Sequence, residues 1–171
     1  MDTFYEHLVK KKFDFRNFLM ILAIVLGAGL LSLATFLFGG YLGIFWLLIL
    51  CGIIYIAYLL IAKQFVEFEY TLTNDELDID RITSKKRRKR LLTVKCKAFD
   101  TVAAMNDPQY SDMIQDKSIQ KVIMAASSPY SENAYFAVFT KDAIRTLLVF
   151  EPTKQMLGTI KTYNPRKVFF S

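Results

Sequence analysis

The sequence predicts a helical hairpin in a membrane, followed by a mostly-β domain of the α+β class that ends in one helix. Three observations carry this prediction. Residues 17–62 contain no Asp, Glu, Lys, Arg or His, whereas the composition from Lys63 onward is that of an ordinary globular domain. After Lys63, apolar and polar residues alternate with the period of two that is typical of half-buried strands. Near the end of the 171-residue chain, the apolar spacing changes to that of a helix.

Two apolar runs, residues 18–38 and 41–62, each reach the roughly 20 residues that a helix needs to cross a bilayer. Only Gly39-Gly40 separates them, which favours a hairpin over a cleaved signal peptide. Positive charges precede the first run and follow the second, at Lys10–Lys12, Arg16 and Lys63. The positive-inside rule therefore predicts a multi-pass protein of the cell (inner) membrane with both termini cytoplasmic. Residues 1–17 are predicted as a cytoplasmic N-terminal segment, 18–62 as two transmembrane helices and 63–171 as a cytoplasmic domain.

The cytoplasmic domain is predicted to hold about six strands in antiparallel order. The alternation is clearest over residues 66–73, 77–80, 92–97, 121–125, 135–139 and 144–150. Pro152 suits the start of a helix, and Met156, Leu157, Ile160 and Tyr163 would share one face of it. Asn164-Pro165 should end that helix. The apolar tail at residues 168–171 either adds a strand or forms a short partner-binding end.

Six consecutive cations form the candidate binding site: Lys85, Lys86, Arg87, Arg88, Lys89 and Arg90. The part of the chain from Lys63 onward has 18 Lys and Arg against 13 Asp and Glu, so its basic character is confined to this run. Such a run is typical of a membrane-surface contact, a solvated loop or topology signal, or a site for an acidic protein or nucleic acid. Nucleic-acid binders spread their cations over a face and interleave aromatic residues, which this sequence does not do. We therefore expect anionic membrane lipids, and no nucleic acid, as partners.

The sequence offers no chemistry for an enzyme or a metal site. Its two cysteines, Cys51 and Cys96, and its single histidine, His7, have no metal-ligand spacing. The acidic residues around Asp78 lack the Gly and Glu positions of a calcium loop. Neither a phosphate-binding loop nor a nucleophile motif occurs. We expect no catalytic residue, no metal and no cofactor.

The strand pattern, the closing helix and the preceding membrane spans together resemble the bacterial pleckstrin-homology-like (PH-like) domains. The stretch Tyr70–Asp80, YTLTNDELDID, is similar to the first hairpin of such domains, and the helix ending at Asn164-Pro165 is similar to their last helix. The resemblance covers roughly residues 63–167 and implies an antiparallel barrel closed by the C-terminal helix. It also implies that basic loops at the open end bind lipid head groups. Where the commoner pattern has a glycine in the second hairpin, this chain has Ser84 and the basic run.

Two functions are therefore expected, from different classes. The first is a non-enzymatic membrane protein whose PH-like domain binds the anionic membrane surface or a membrane-protein partner. The second is a structural or assembly subunit of a membrane complex. Small residues spaced four apart on the first span, Ala23 with Gly27 and Ala28 with Ser32, suit either packing within the hairpin or homo-oligomerisation.

Overall fold

The computed structural model describes residues 3–128 and 130–169. The chain divides into two compact units, one made of residues 13–66 and the other of the remaining residues on both sides. In chain order the strands and longer helices are β1 (Phe4–Lys10), α1 (Phe15–Leu37), α2 (Gly39–Leu42), α3 (Phe45–Ala62), β2 (Val66–Thr73), β3 (Glu76–Thr83), β4 (Arg87–Lys95), β5 (Phe99–Ala104), α4 (Ser111–Ile114), β6 (Lys121–Met124), β7 (Tyr135–Lys141), β8 (Ile144–Phe150) and α5 (Lys154–Tyr163). Two 3₁₀ turns lie at Cys96–Ala98 and Pro108–Tyr110.

The helical unit is the predicted hairpin. Helices α1 and α3 are long and apolar enough to cross a membrane, judged by length and composition. Asp14 caps α1 by accepting a hydrogen bond from the Phe15 N–H at 2.7 Å. The second span begins at Phe45 rather than at residue 41, because the short helix α2 and a left-handed Gly43 occupy the connection. The hairpin turn is thus longer than Gly39-Gly40 alone.

The first sheet differs from the prediction because it includes the N-terminal segment. Its strand order is β1-β2-β3-β4, and β1 pairs antiparallel with β2 from Phe4↔Thr73 to Lys10↔Glu67. His7 is a strand residue opposite Tyr70. Residues 4–10 of the predicted N-terminal segment are therefore part of this sheet. The helical hairpin is inserted between two neighbouring strands, and such a long-range pairing leaves little local signal in the sequence.

The second sheet has the order β5-β7-β8-β6. Strand β7 pairs antiparallel with both β5 and β8. Strand β6, however, runs parallel to β8, so the prediction that all strands are antiparallel was wrong. Strand β5 was not predicted. In the part of the chain that the structure describes, the strands form two four-stranded sheets rather than one closed barrel. The two sheets are connected by side chains: Tyr70 on β2 donates its hydroxyl to the Ala125 carbonyl, and Lys141 Nζ donates to the Thr93 carbonyl at 2.8 Å.

Helix α5 follows the prediction except at its start, because its first residue is Lys154 and Pro152 precedes the N-cap Thr153. The Thr153 side chain caps it by accepting from the Met156 N–H, and Met156, Leu157 and Ile160 are buried. The helix ends at Asn164, whose side-chain amide donates to the carbonyls of Cys96 and Phe99. The tail makes a single parallel bridge from Val168 to Val102, while residues 170–171 of the predicted tail lie outside the described residues.

Candidate functional site

The basic run occupies a turn and the first half of a strand. From the sequence pattern, all six cations lie between the second and third predicted strands and would form the tip of a hairpin. The structure puts Lys85 and Lys86 in the turn after β3, whereas Arg87, Arg88, Lys89 and Arg90 begin β4. This difference matters because side chains along a strand alternate between its two faces. The run is therefore divided by the sheet into two sets of cations with different surroundings.

The turn has a backbone that normally favours glycine. Ser84 and Lys85 both have φ of 56°, in the left-handed region, and the Lys86 N–H donates to the Thr83 carbonyl at 3.2 Å. A side chain with a Cβ pays roughly 1–2 kcal/mol to adopt this conformation. A lysine at this position is thus held there at a conformational cost.

Two arginines of the run are engaged in ion pairs on the sheet. Arg88 Nη2 donates to Glu69 Oε2 at 2.6 Å, and the Glu69 side chain is only 5% exposed. Arg90 pairs with both Asp78 and Asp80, and the Asp80 side chain is 6% exposed. The hydrogen bond to Asp80 raises the pKa of the Arg90 guanidinium above its ordinary value. Buried carboxylates require such partners, so Arg88 and Arg90 have a structural role.

The other four cations of the run have no such partner. Lys85, Lys86, Arg87 and Lys89 are exposed, and none of them makes an ion pair with any residue in the described ranges 3–128 and 130–169. Because Arg88 and Arg90 project from one face of β4, strand alternation directs Arg87 and Lys89 to the other face.

The register adds a cation that the sequence analysis missed. Arg81 on β3 lies directly opposite Lys89 on β4, and Arg81 is exposed as well. Like charges in this position destabilise a sheet, because their side chains lie about 5 Å apart. We call Arg81, Lys85, Lys86, Arg87 and Lys89 the cationic hairpin. Counting outward from the turn could have found Arg81, provided that the turn had been placed at residues 84–86.

A β-bulge sets which cations pair with acids. The β3–β4 register is Ile79↔Leu92 on one side and Asp80↔Arg90 on the other, so Leu91 is an extra residue on β4. Without it, the alternation from Leu92 would have placed Arg90 on the face of the buried Leu92. The bulge instead brings Arg90 against Asp80 and, two residues earlier, Arg88 onto the same face as Glu69.

The acidic residues near this site are accounted for by the same contacts. Asp78 accepts a hydrogen bond from the Thr93 hydroxyl at 2.6 Å in addition to its pairing with Arg90. Within residues 3–128 and 130–169, no group of three or more His, Cys, Asp or Glu side chains is arranged to hold a metal ion. These acids do not neutralise the exposed cations of the cationic hairpin, whose charge can attract an anion.

A family model described as bacterial PH-like domain (DUF6106) matches residues 1–170. The match includes the N-terminal strand and the helical hairpin, as well as the sheets. No curated protein and no solved structure matches the chain significantly.

Proposed function

Because the chain belongs to the bacterial PH-like domain family, we propose that it is a non-enzymatic protein of the cell membrane whose sheet domain is cytoplasmic. There the cationic hairpin binds the anionic surface of the same membrane. The observation that carries this proposal is the uncompensated charge of Arg81, Lys85, Lys86, Arg87 and Lys89. Two features of that charge lower the stability of the hairpin, namely the Arg81–Lys89 apposition and the left-handed Lys85. An anionic ligand would reduce the repulsion between Arg81 and Lys89. Binding of that ligand would also explain why a lysine occupies the left-handed position 85.

The course of the strands supports a membrane surface as that ligand. The chain leaves the first sheet for the helices after Lys10 and returns to it at Val66, so both connections are at one end of β1 and β2. Strand β3 returns antiparallel to β2, and its last residue, Thr83, is therefore at this same end. The cationic hairpin follows directly. It thus lies at the end of the sheet from which both connections to the membrane helices emerge.

The topology of the sheet also constrains the spans. Since β1 and β2 are hydrogen-bonded neighbours, a chain that crosses the membrane between them must return to the side from which it started. Two spans satisfy this requirement. The flanking cations Lys10–Lys12, Arg16 and Lys63 then assign that side to the cytoplasm by the positive-inside rule. This is also the side on which an anionic leaflet attracts Lys and Arg, by about 1 kcal/mol for each residue near the surface.

Lysine acetylation of the full chain in lipid nanodiscs tests the proposal. Lys85, Lys86 and Lys89 should react more slowly in nanodiscs that contain phosphatidylglycerol than in purely zwitterionic ones. The protection should disappear at high salt, since screening shortens electrostatic interactions to a few ångströms near 1 M. Lys95, Lys97, Lys117 and Lys121 are exposed lysines of the same domain outside the hairpin, and they serve as controls in the same sample. Mass spectrometry reads every site separately.

The full chain is needed because the sheet domain is not one continuous segment. A fragment that starts after the second span lacks β1 and would leave the edge of β2 unpaired. Equal acetylation of Lys85, Lys86 and Lys89 in both kinds of nanodisc would contradict the proposal. Protection that is the same for the four control lysines would also contradict it, because it would report general crowding rather than a hairpin contact.

One observation favours the second candidate function, a structural or assembly subunit. An apolar groove of about 270 Å³ lies between α1 and α3, and Ala23, Gly27 and Ala28 line it together with Ala57. A Cβ added at Gly27 would meet no atom within 4 Å, so packing within the hairpin does not require this glycine. If another helix packs there, Gly27→Leu should lower the oligomer or complex size in nanodiscs, whereas Gly52→Leu on α3, which is equally unobstructed and lies outside the groove, should not.

A further inference from the structure

An exposed tyrosine projects from the loop that connects β6 to β7. Tyr130 is 94% exposed, more than any other large apolar side chain in the described part of the sheet domain. Single exposed apolar residues are common on protein surfaces, and exposure alone therefore assigns no role. What distinguishes Tyr130 is the way its loop is held and the part of the chain to which the loop is attached.

The base of the loop is fixed by hydrogen bonds. Ser127 donates both its N–H and its hydroxyl to Glu151 Oε1, at 2.9 and 2.6 Å. The Ser131 N–H donates across Tyr130 to the Ser128 carbonyl, and after Tyr130 the Ala134 N–H donates to the Ser131 carbonyl at 3.0 Å. A loop tied on both sides in this way presents its tip outward.

The loop is attached to the segment that leads into the first membrane helix. The Lys12 N–H donates to the Ser127 carbonyl at 2.8 Å. Lys12 is three residues before Phe15, the first residue of α1. Three residues span at most about 10 Å, and the head-group region on each side of a bilayer is about 5–7 Å thick. Ser127 is thus hydrogen-bonded to a residue that is separated from the first residue of α1 by at most about 10 Å of chain.

The loop and the cationic hairpin are associated with different strands of the first sheet. The loop contacts the chain just after β1, which is one edge strand of the first sheet, whereas the hairpin ends in β4, which is the other. Three strand spacings of nearly 5 Å separate those edges by about 14 Å. Contacts at both places would prevent the domain from tilting about its connections.

We propose that the loop around Tyr130 is a second membrane contact, in which the phenol ring inserts into the interfacial region of the bilayer. Tyrosine suits this region because its ring is apolar and its hydroxyl can remain hydrated. Glu132, two residues further on, is exposed and carries a negative charge. The contact is therefore apolar in character and does not depend on anionic lipid. The inference rests on the proposed function, since both assign the same end of the sheet domain to the membrane.

Tryptophan fluorescence tests this contact in the full chain. Trp46 is the only tryptophan, so Trp46→Phe gives a silent background into which Tyr130→Trp introduces one reporter. In nanodiscs of zwitterionic lipid brominated on the upper acyl chain, we expect the Tyr130→Trp emission to shift to shorter wavelength and to be quenched. The matched control is Phe4→Trp, because Phe4 is 63% exposed and lies at the end of β1 opposite Lys10. Its emission should be unaffected by brominated lipid.

The outcomes separate this inference from the proposed function. Quenching at position 130 but not at position 4 supports the contact. An unquenched reporter at position 130, or equal quenching at both positions, overturns it. Lysine acetylation of the same samples reads the hairpin independently. Protected hairpin lysines with an unquenched reporter would leave the proposed function standing and remove only the loop contact. Quenching at position 130 with unprotected hairpin lysines in anionic nanodiscs would support the loop contact and contradict the hairpin contact of the proposed function.

Discussion

Arg81 and Lys89 are directly opposite each other in the β3–β4 register, and neither makes an ion pair with another described residue. An apposed pair of like charges costs a sheet a few tenths of a kcal/mol up to about 1 kcal/mol. One position away on either side of Lys89, Arg88 and Arg90 instead pair with acids on the other face of the sheet. The contrast suggests that the charge of this pair serves binding rather than folding.

Reversing one charge of this pair should stabilise the protein. Lys89→Glu gives Arg81 an opposite partner, so the free energy of unfolding should rise by about 0.2–1 kcal/mol, while the hairpin lysines lose their protection in anionic nanodiscs. Lys95→Glu is a matched control on the same strand. Lys95 already lies opposite Glu76, and the same substitution there should destabilise by a similar amount. Thermal unfolding in zwitterionic nanodiscs measures both. A fall in Tm for Lys89→Glu would show that the Arg81–Lys89 apposition is not a cost.

A glycine in place of Lys85 should stabilise the protein and weaken its contact with the membrane. Lys85 has φ of 56°, so Lys85→Gly relieves a left-handed side chain and should raise the free energy of unfolding by about 1 kcal/mol. Lys85→Gln removes the same charge but keeps a side chain in the left-handed conformation. Its Tm should therefore not gain from relief of backbone strain. Ala143, at the β7–β8 turn, has φ of 62°, so Ala143→Gly should also stabilise the protein. Of these three variants, only the two at Lys85 should weaken protection of the neighbouring lysines.

The two structural arginines should behave differently from the lysine between them. Arg88→Gln leaves the nearly buried Glu69 carboxylate without its partner and should cost about 1–3 kcal/mol of unfolding free energy. Lys89→Gln, the adjacent change, should cost nothing measurable. Adding Glu69→Gln to Arg88→Gln should recover much of the loss, because the unpaired carboxylate is then removed. A double variant as unstable as Arg88→Gln alone would contradict this assignment.

These arginines also show how far the sequence could be interpreted. Its period-two and helical patterns predicted the two spans, the strands around Tyr70, Ile79, Val138 and Leu148, and the helix that buries Leu157, because each pattern is local. The run of six cations was recognised from composition. Dividing it into paired and unpaired members requires the register of β4 and the bulge at Leu91, which depend on packing across the sheet. Strand β1 was not predicted, because its partner β2 comes after the helical hairpin in the chain.

The contribution of β1 to the sheet domain can be tested at two neighbouring residues. Val9 is 7% exposed and Leu8 is 43% exposed, as expected for a strand with one buried face. Val9→Lys should destabilise the domain by several kcal/mol, because it buries a charge in the core. Leu8→Lys inserts the same side chain opposite Glu69 and should have little effect. Limited proteolysis in detergent gives the comparison. If both variants resist protease equally, β1 is not needed for the fold.

The buried thiol should make the protein less stable in alkali. Cys96 is fully buried, and desolvation, with the nearby Asp75 charge, raises its pKa from 9.0 to about 12. Between these values the unfolded thiol is ionised while the folded one keeps its proton. The folded state therefore binds more protons, and stability falls as the pH rises through this window. Burial raises the pKa of the Tyr70 hydroxyl as well, which adds a loss of the same sign. Cys96→Ala should reduce the fall in Tm between pH 9 and pH 11 without abolishing it.

In a Cys51→Ala background, maleimide should label Cys96 at neutral pH only after unfolding. Rapid labelling of the folded protein would show that this thiol is accessible, and the alkaline loss would then need another source.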